Sequence, residues 1–168
     1  MKTSQHAKSS EEFAVSTSLS SVGKRFPKTL EKPLSAVCGV YFVAGELSRA
    51  GYIALATNGN TKGPDIVVSN HKFSKTVNIE VKTRKGKQRI WPINKPKKYG
   101  KMFYVFVALG RNKERPEYYV VPYDYVFGRY EEWQSRNKSK NRWNSFNFTF
   151  KKGDAEKYKD KWTQLGLN

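Results

Sequence analysis

Alternating and helix-spaced apolar positions divide the chain into recognisable elements. From Ser35 to about Ala50 the spacing of Val37, Val40, Tyr41, Ala44 and Leu47 predicts a helix. Ser35 is its expected cap and Gly51 its stop. Phe42 and Val43 add a second apolar face, which predicts a helix buried nearly all round. Strands are expected over 52–57, 65–69 and 76–83, the last two joined by a hairpin turn over Asn70 to Lys75. The segment from Arg84 to Gly100 has no clear period and reads as a long basic loop. Met102 to Leu109 is continuously apolar, as a strand buried on both faces would be. A strand over 117–121, a helix from Pro122 to about Trp133, a short strand over 147–150 and a helix from Asp154 to Leu165 complete the series. Helix, three strands, loop, two strands and helix make an α/β domain with a mixed central sheet flanked by helices. Residues 1–33, rich in Ser, Lys and Thr, are expected to be a flexible or loosely docked arm, with a short helix near Glu11 to Val15. Residues 34–168 are expected to form a single domain.

Charge narrows the function. Thirty-two Lys and Arg stand against 14 acidic residues, a formal +18. Such an excess calls for a polyanionic partner, and nucleic acid rewards each cation by releasing counterions. No apolar run is long enough to span a bilayer, and no basic amphipathic helix or lipidation signal is present, so no membrane partner is expected. The N-terminus lacks a secretory core, and a cytoplasmic, nucleoid-associated protein of prokaryotic or phage type is the expectation. Cys38 is the one cysteine and lies in an apolar run, so an intrachain disulfide is excluded and a buried structural thiol is expected. His6 and His71 are the only histidines, too few for the histidine-dependent metal and nuclease motifs, and His71 falls in the hairpin turn.

The chemistry concentrates in two strands. Along Val77 to Lys82, side chains alternate: Val77, Ile79 and Val81 face one way, Asn78, Glu80 and Lys82 the other. A hairpin brings Asp65 across from Glu80. Two carboxylates then meet an ammonium, a combination that suits Mg²⁺, a hard ion that takes carboxylate, carbonyl and water oxygens. Asp65 and Glu80, with the carbonyl of Val81, are the candidate metal ligands. Lys82 is the candidate for orienting or deprotonating the attacking water, or for stabilising charge on the phosphate. Glu46, on the helix, is a candidate fourth catalytic group; pairing with Arg49 is the competing role. Taken singly, Asp65 also fits a turn residue after Pro64, and Glu80 with Lys82 fits a surface ion pair. Lys62 and the loop residues Arg84, Lys85, Lys87, Arg89, Lys95, Lys97 and Lys98 are candidate phosphate contacts, with Trp91 and Tyr99 interleaved. Trp91 is expected to pack on the domain instead, and Trp133 and Trp143 to belong to the core. Arg136 to Lys140 with Arg142 is a second basic region on the expected nucleic-acid surface.

Pro64-Asp65, followed fifteen residues on by Glu80-Val81-Lys82, resembles the PD-(D/E)XK nuclease superfamily, with Glu46 at the family's acidic helix position. The resemblance covers roughly residues 35–121. It implies a restriction-endonuclease-like or Holliday-junction-resolvase-like core and a divalent-metal-dependent endonuclease that hydrolyses DNA phosphodiester bonds. Mg²⁺ is the implied cofactor, with Mn²⁺ able to substitute, and no small-molecule cofactor is needed. Duplex cutting needs two sites, so a homodimer is expected. The alternatives are a catalytically inactive nucleic-acid-binding module on the same fold and a basic RNA-binding protein.

Overall fold

The computed structural model describes residues 31–57, 62–110, 114–137 and 145–168. The expected N-terminal arm, Trp143 and most of the second basic region lie outside the described residues. A mixed five-stranded sheet forms the centre, in the order β1 (Ile53–Ala56), β2 (Ile66–Ser69), β3 (Thr76–Arg84), β5 (Met102–Ala108) and β6 (Glu117–Pro122). β1, β2 and β3 run antiparallel in series. β5 lies parallel to β3, and β6 antiparallel to β5. The hairpin between β2 and β3 is closed by Asn70, whose N–H donates to the Lys75 carbonyl and whose Oδ1 accepts from Ser74 N–H at 3.0 Å. Asx side chains stabilise turns in this way.

Helix α1 (Lys32–Arg49) covers one face, packing Val43 and Leu47 on Ile66, Ile79, Val81, Val105 and Val107. Helix α2 (Tyr123–Arg136) covers the other. Here it is joined by a small two-stranded sheet of β4 (Trp91–Asn94) and β7 (Ser145–Phe148). Trp91, Phe106, Tyr119 and Phe148 form an aromatic core on this side, with Phe106 and Phe148 stacked at 4.2 Å between centroids. β5 sits between β3 and β6 with helices on both faces, and every one of its seven residues is buried. Its continuous apolar run is the consequence. Among the described residues no helix is long and apolar enough to cross a membrane.

Four expectations are corrected. α1 begins at Lys32, not Ser35, because Pro33 fits the first helical turn, where its missing N–H is not needed. Ser35 lies inside the helix, with its hydroxyl donating to the Glu31 carbonyl at 3.0 Å. α1 is also buried along one stripe only. Ser35, Gly39, Val43 and Leu47 face the sheet, while Leu34, Val37, Tyr41 and Phe42 are exposed. The supposed basic loop contains β4, whose alternation (Trp91 and Ile93 buried, Pro92 and Asn94 exposed) is that of a half-buried strand. Pro92 is tolerated because β4 has a neighbour on one side only. Finally, the last helix is broken into α3 (Ala155–Tyr158) and a 3₁₀ turn (Trp162–Leu165). The break occurs because Lys159 bridges to Tyr119 and Asp160 N–H donates to the Tyr118 carbonyl, capping the open edge of β6.

Gly39 sets how closely α1 approaches β3. A methyl group there would overlap the Thr83 hydroxyl, which is buried beneath it, whereas a methyl at Gly45 would meet nothing within 4 Å. Gly39→Ala is therefore expected to destabilise the fold by about 1–3 kcal/mol through overpacking. Gly45→Ala should leave it unchanged or stabilise it by about 0.5–1 kcal/mol. Urea midpoints of the two variants check this; equal midpoints would contradict the close helix–strand packing.

Candidate active site

The register of β2 and β3 builds the site. Ile66 pairs with Ile79, and Asp65 N–H donates to the Ile79 carbonyl at 2.9 Å, so Asp65 stands at the end of β2 alongside Glu80. Ile66, Ile79 and Val81 pack under α1. Alternation therefore turns Asp65, Glu80 and Lys82 to the opposite face. Asp65 Oδ2 accepts the backbone N–H of Val81 at 2.7 Å, a bond that fixes one carboxylate oxygen between Glu80 and Lys82 along the neighbouring strand. The chain before Asp65 is held as well: Thr57 Oγ1 donates to the Pro64 carbonyl at 2.6 Å, and Thr57 N–H to the Asp65 carbonyl at 2.9 Å. Lys82 Nζ lies 2.6 Å from Glu80 Oε1, in an ion pair with side chains only 31% and 20% exposed.

Across β3, Glu80 is level with Tyr104 on β5. Glu80, Lys82 and Tyr104 line a cavity of about 240 Å³ together with Lys62, Gly63, Asn94, Lys95, Lys97 and Tyr99. A hydrogen bond places the far wall. Asn78, on the same face of β3 as Glu80, donates from Nδ2 to the Tyr99 carbonyl at 2.6 Å and ties the segment carrying Lys95 and Lys97 against the sheet. Burial pushes the Glu80 carboxyl above its ordinary value. The Lys82 ammonium opposes that rise, the Asp65 charge adds to it, and Lys97 opposes it. The Tyr104 hydroxyl is likewise pushed up, by burial first and then by the charge of Glu80. The Asp65 charge thus adds to the cost of ionising Glu80 in a partly desolvated place.

The donor set fits a hard divalent cation. Asp65 and Glu80 offer carboxylate oxygens from adjacent strands, and the repulsion between them is what a cation would relieve. Among the described residues, no group of three or more His, Cys, Asp or Glu side chains gathers as a metal site. Any further ligands would be backbone carbonyls such as that of Val81, water or substrate oxygens.

The expected fourth group is elsewhere. Glu46 projects from α1, which covers the other face of the sheet. It pairs with Arg49 at 2.7 Å and lines a separate cavity with Tyr118 and Asp160. A helix over the Ile79 and Val81 face cannot direct this side chain to the Glu80 face. The basic candidates also divide. Lys62, Lys95 and Lys97 line the site, and Lys85 is exposed. Arg84 shapes the following turn, donating to the Ile90 carbonyl at 2.7 Å and to Gln88 Oε1. Lys87 pairs with Glu114 at 3.1 Å, Arg89 with Glu156 at 3.0 Å over the Tyr119 ring, and Lys98 with Asp124 at 3.2 Å over the Tyr123 ring. Those three cations are engaged within the fold. Trp91 is fully packed, its indole N–H donating to the Val107 carbonyl at 3.1 Å. Cys38 is half-buried, and burial raises its thiol. His71 is exposed in the turn.

Asn94, Tyr99 and Tyr104 join the site without having been singled out as site residues. Tyr99 carried a signal, as an aromatic among lysines. Tyr104 carried none, because only the pairing of β3 with β5 brings it level with Glu80. Comparisons of the chain with protein-family models, curated proteins and solved structures each return no match.

The raised Glu80 carboxyl has a thermodynamic consequence. Its ionised form is less favoured in the fold than in the unfolded chain, so Glu80 costs stability at pH values above its folded-state value. That cost fades as pH falls through the folded value and then the ordinary carboxylate value. Glu80→Gln is expected to raise the thermal midpoint at neutral pH in EDTA, with the gain shrinking as the pH is lowered toward 4. A gain that grew on acidification would contradict the assigned environment.

Proposed function

We propose that this chain is a divalent-metal-dependent nuclease that hydrolyses DNA phosphodiester bonds at Asp65, Glu80 and Lys82, in the manner of the PD-(D/E)XK superfamily that its motif resembles. The observation that carries this is the convergence of those three side chains on one face at the same end of β2 and β3, beside Lys62, Lys95 and Lys97. A metal held by Asp65 and Glu80 would supply Lewis-acid stabilisation of phosphate charge and a more acidic bound water.

The chain's own residues do the rest. Lys62, Lys95 and Lys97 hold backbone phosphates at the cavity mouth, each by charge and without sequence preference. The Val81 N–H keeps the Asp65 carboxylate in one orientation, so no reorganisation is needed when substrate enters. The Lys82 ammonium, anchored by Glu80 Oε1, donates to a non-bridging phosphate oxygen or orients the attacking water. Burial around Glu80 and Tyr104 strengthens these interactions by excluding solvent. A homodimer would bring a second site for double-strand cleavage.

One observation favours a second reading. Glu80 and Lys82 satisfy each other, and Glu46 does not join them, so the trio also suits an inactive module that binds nucleic acid through the same cations. A cleavage assay on supercoiled plasmid, with Mg²⁺ or Mn²⁺ against EDTA, separates the two. Metal-dependent nicking or linearisation is expected, falling at least about a hundredfold in Asp65→Ala and Lys82→Ala. Binding without cleavage of plasmid, branched DNA or RNA would leave the binding module, and metal-independent preference for RNA the RNA-binding protein. In either case the double variant Lys95→Ala/Lys97→Ala should reduce the slope of log affinity against log salt by about 2, one released counterion for each lost phosphate contact. An unchanged slope would remove these lysines from the interface.

A further inference from the structure

The largest cavity among those described lies away from the trio, on the α1 side of the sheet. It measures about 780 Å³. Its walls come from the end of α1, the start of β6 and the turn before the 3₁₀ segment. Phe42 and Trp162 supply aromatic surface, and buried Tyr118 packs against Trp162 at 5.6 Å between centroids.

Its charge sets it apart. The trio cavity is lined by four lysines, Lys62, Lys82, Lys95 and Lys97, against the one carboxylate Glu80. The large cavity carries Arg49, Arg115 and Lys159 against Glu46, Glu117 and Asp160, a balanced three and three. In a chain of +18 this place is not built to hold a phosphate chain by charge. Most of its charges are also spent: Glu46 pairs with Arg49, and Glu117 with Lys159 at 2.7 Å. Among the described residues, Arg115 and the Asp160 carboxylate are left without an ion-pair or side-chain hydrogen-bond partner. Asp160 is held in the left-handed region, φ +53, by its N–H donating to the Tyr118 carbonyl and its carbonyl accepting from Trp162 N–H. The turn therefore sets an exposed carboxylate at the rim of the cavity, next in the chain to Lys159 and tied through its backbone to Tyr118 and Trp162.

We propose that this cavity binds the base of an unpaired nucleotide, with guanine preferred. Aromatic walls accept the face of any base. A carboxylate is an acceptor only, so Asp160 matches the adjacent N1–H and N2–H donors of guanine, while adenine turns its acceptor N1 toward it. Arg115 is then available for the attached phosphate. The volume lies within the range of small-ligand pockets. Burial pushes the Tyr118 hydroxyl up to about 12, which marks a desolvated floor behind the exposed rim that carries Asp160.

The test is titration of the full chain with dGMP, dAMP and dCMP, followed by amide and indole NMR shifts. dGMP is expected to move the Tyr118, Asp160 and Trp162 signals and to bind more tightly than dAMP. Asp160→Asn keeps a residue that tolerates the left-handed backbone and should lower dGMP affinity about tenfold, the worth of one charged hydrogen bond. Arg115→Gln should weaken all three nucleotides alike. Because the cavity is neutral, dGMP affinity should change far less with salt than plasmid binding does. Absence of shifts at these residues, shifts confined to the Glu80 cavity, or equal affinities that Asp160→Asn leaves unchanged would overturn the proposal. None of these outcomes depends on whether the trio cleaves DNA.

Discussion

The two-residue alternation of β3 is the constraint on which the molecule's chemistry depends. Ile79 and Val81 must face α1 to complete a core with Val43, Leu47, Val105 and Val107. That burial pins the register, since a slip of one residue would turn Glu80 and Lys82 into the core and expose Ile79 and Val81. The ladder to β2 then carries the same parity across, and the ladder to β5 brings Tyr104 level with Glu80. Apolar packing on one face thus fixes the geometry of the polar groups on the other.

The cations follow a similar division of labour. A net +18 would strain the compact state if all the charges were free. Several basic side chains are instead engaged with carboxylates or rings: Arg89 with Glu156 over Tyr119, Lys98 with Asp124 over Tyr123, Lys159 with Glu117. These tie the crossover from β3 to β5, α2 and the chain after α3 to the sheet. Lys62, Lys95 and Lys97 instead converge beside Glu80 at one cavity. The larger cavity on the opposite face is balanced by comparison, with three cations against three carboxylates.

Much of the architecture could be read from local pattern. Periodicity located α1, the five sheet strands and α2 to within a few residues, because each buries a face whose spacing matches its own repeat. β4 was hidden because Pro92 and the surrounding lysines mask a four-residue alternation that makes sense only once β7 pairs with it. The broken C-terminal helix was hidden for a related reason: residues 154–165 have helical spacing, but the open edge of β6 competes for Lys159 and Asp160. A bond to a distant strand outweighs a local preference of a few tenths of a kcal/mol per residue.

Sequence by itself determined the candidate trio, since Asp65, Glu80 and Lys82 lie on two strands joined by a short hairpin. A one-residue slip between these antiparallel strands would turn Ile66 and Val68 away from the face of Val77 and Ile79, and the short hairpin limits larger shifts. The +18 charge, from which a polyanionic partner is expected, was legible in the sequence as well. Tertiary structure alone decided which cations line the Glu80 cavity, which pair within the fold, and where Glu46 points. All three depend on which face of the sheet α1, β4 and α2 cover. That choice is made by the summed burial of side chains far apart in the chain, and no spacing within a single element encodes it.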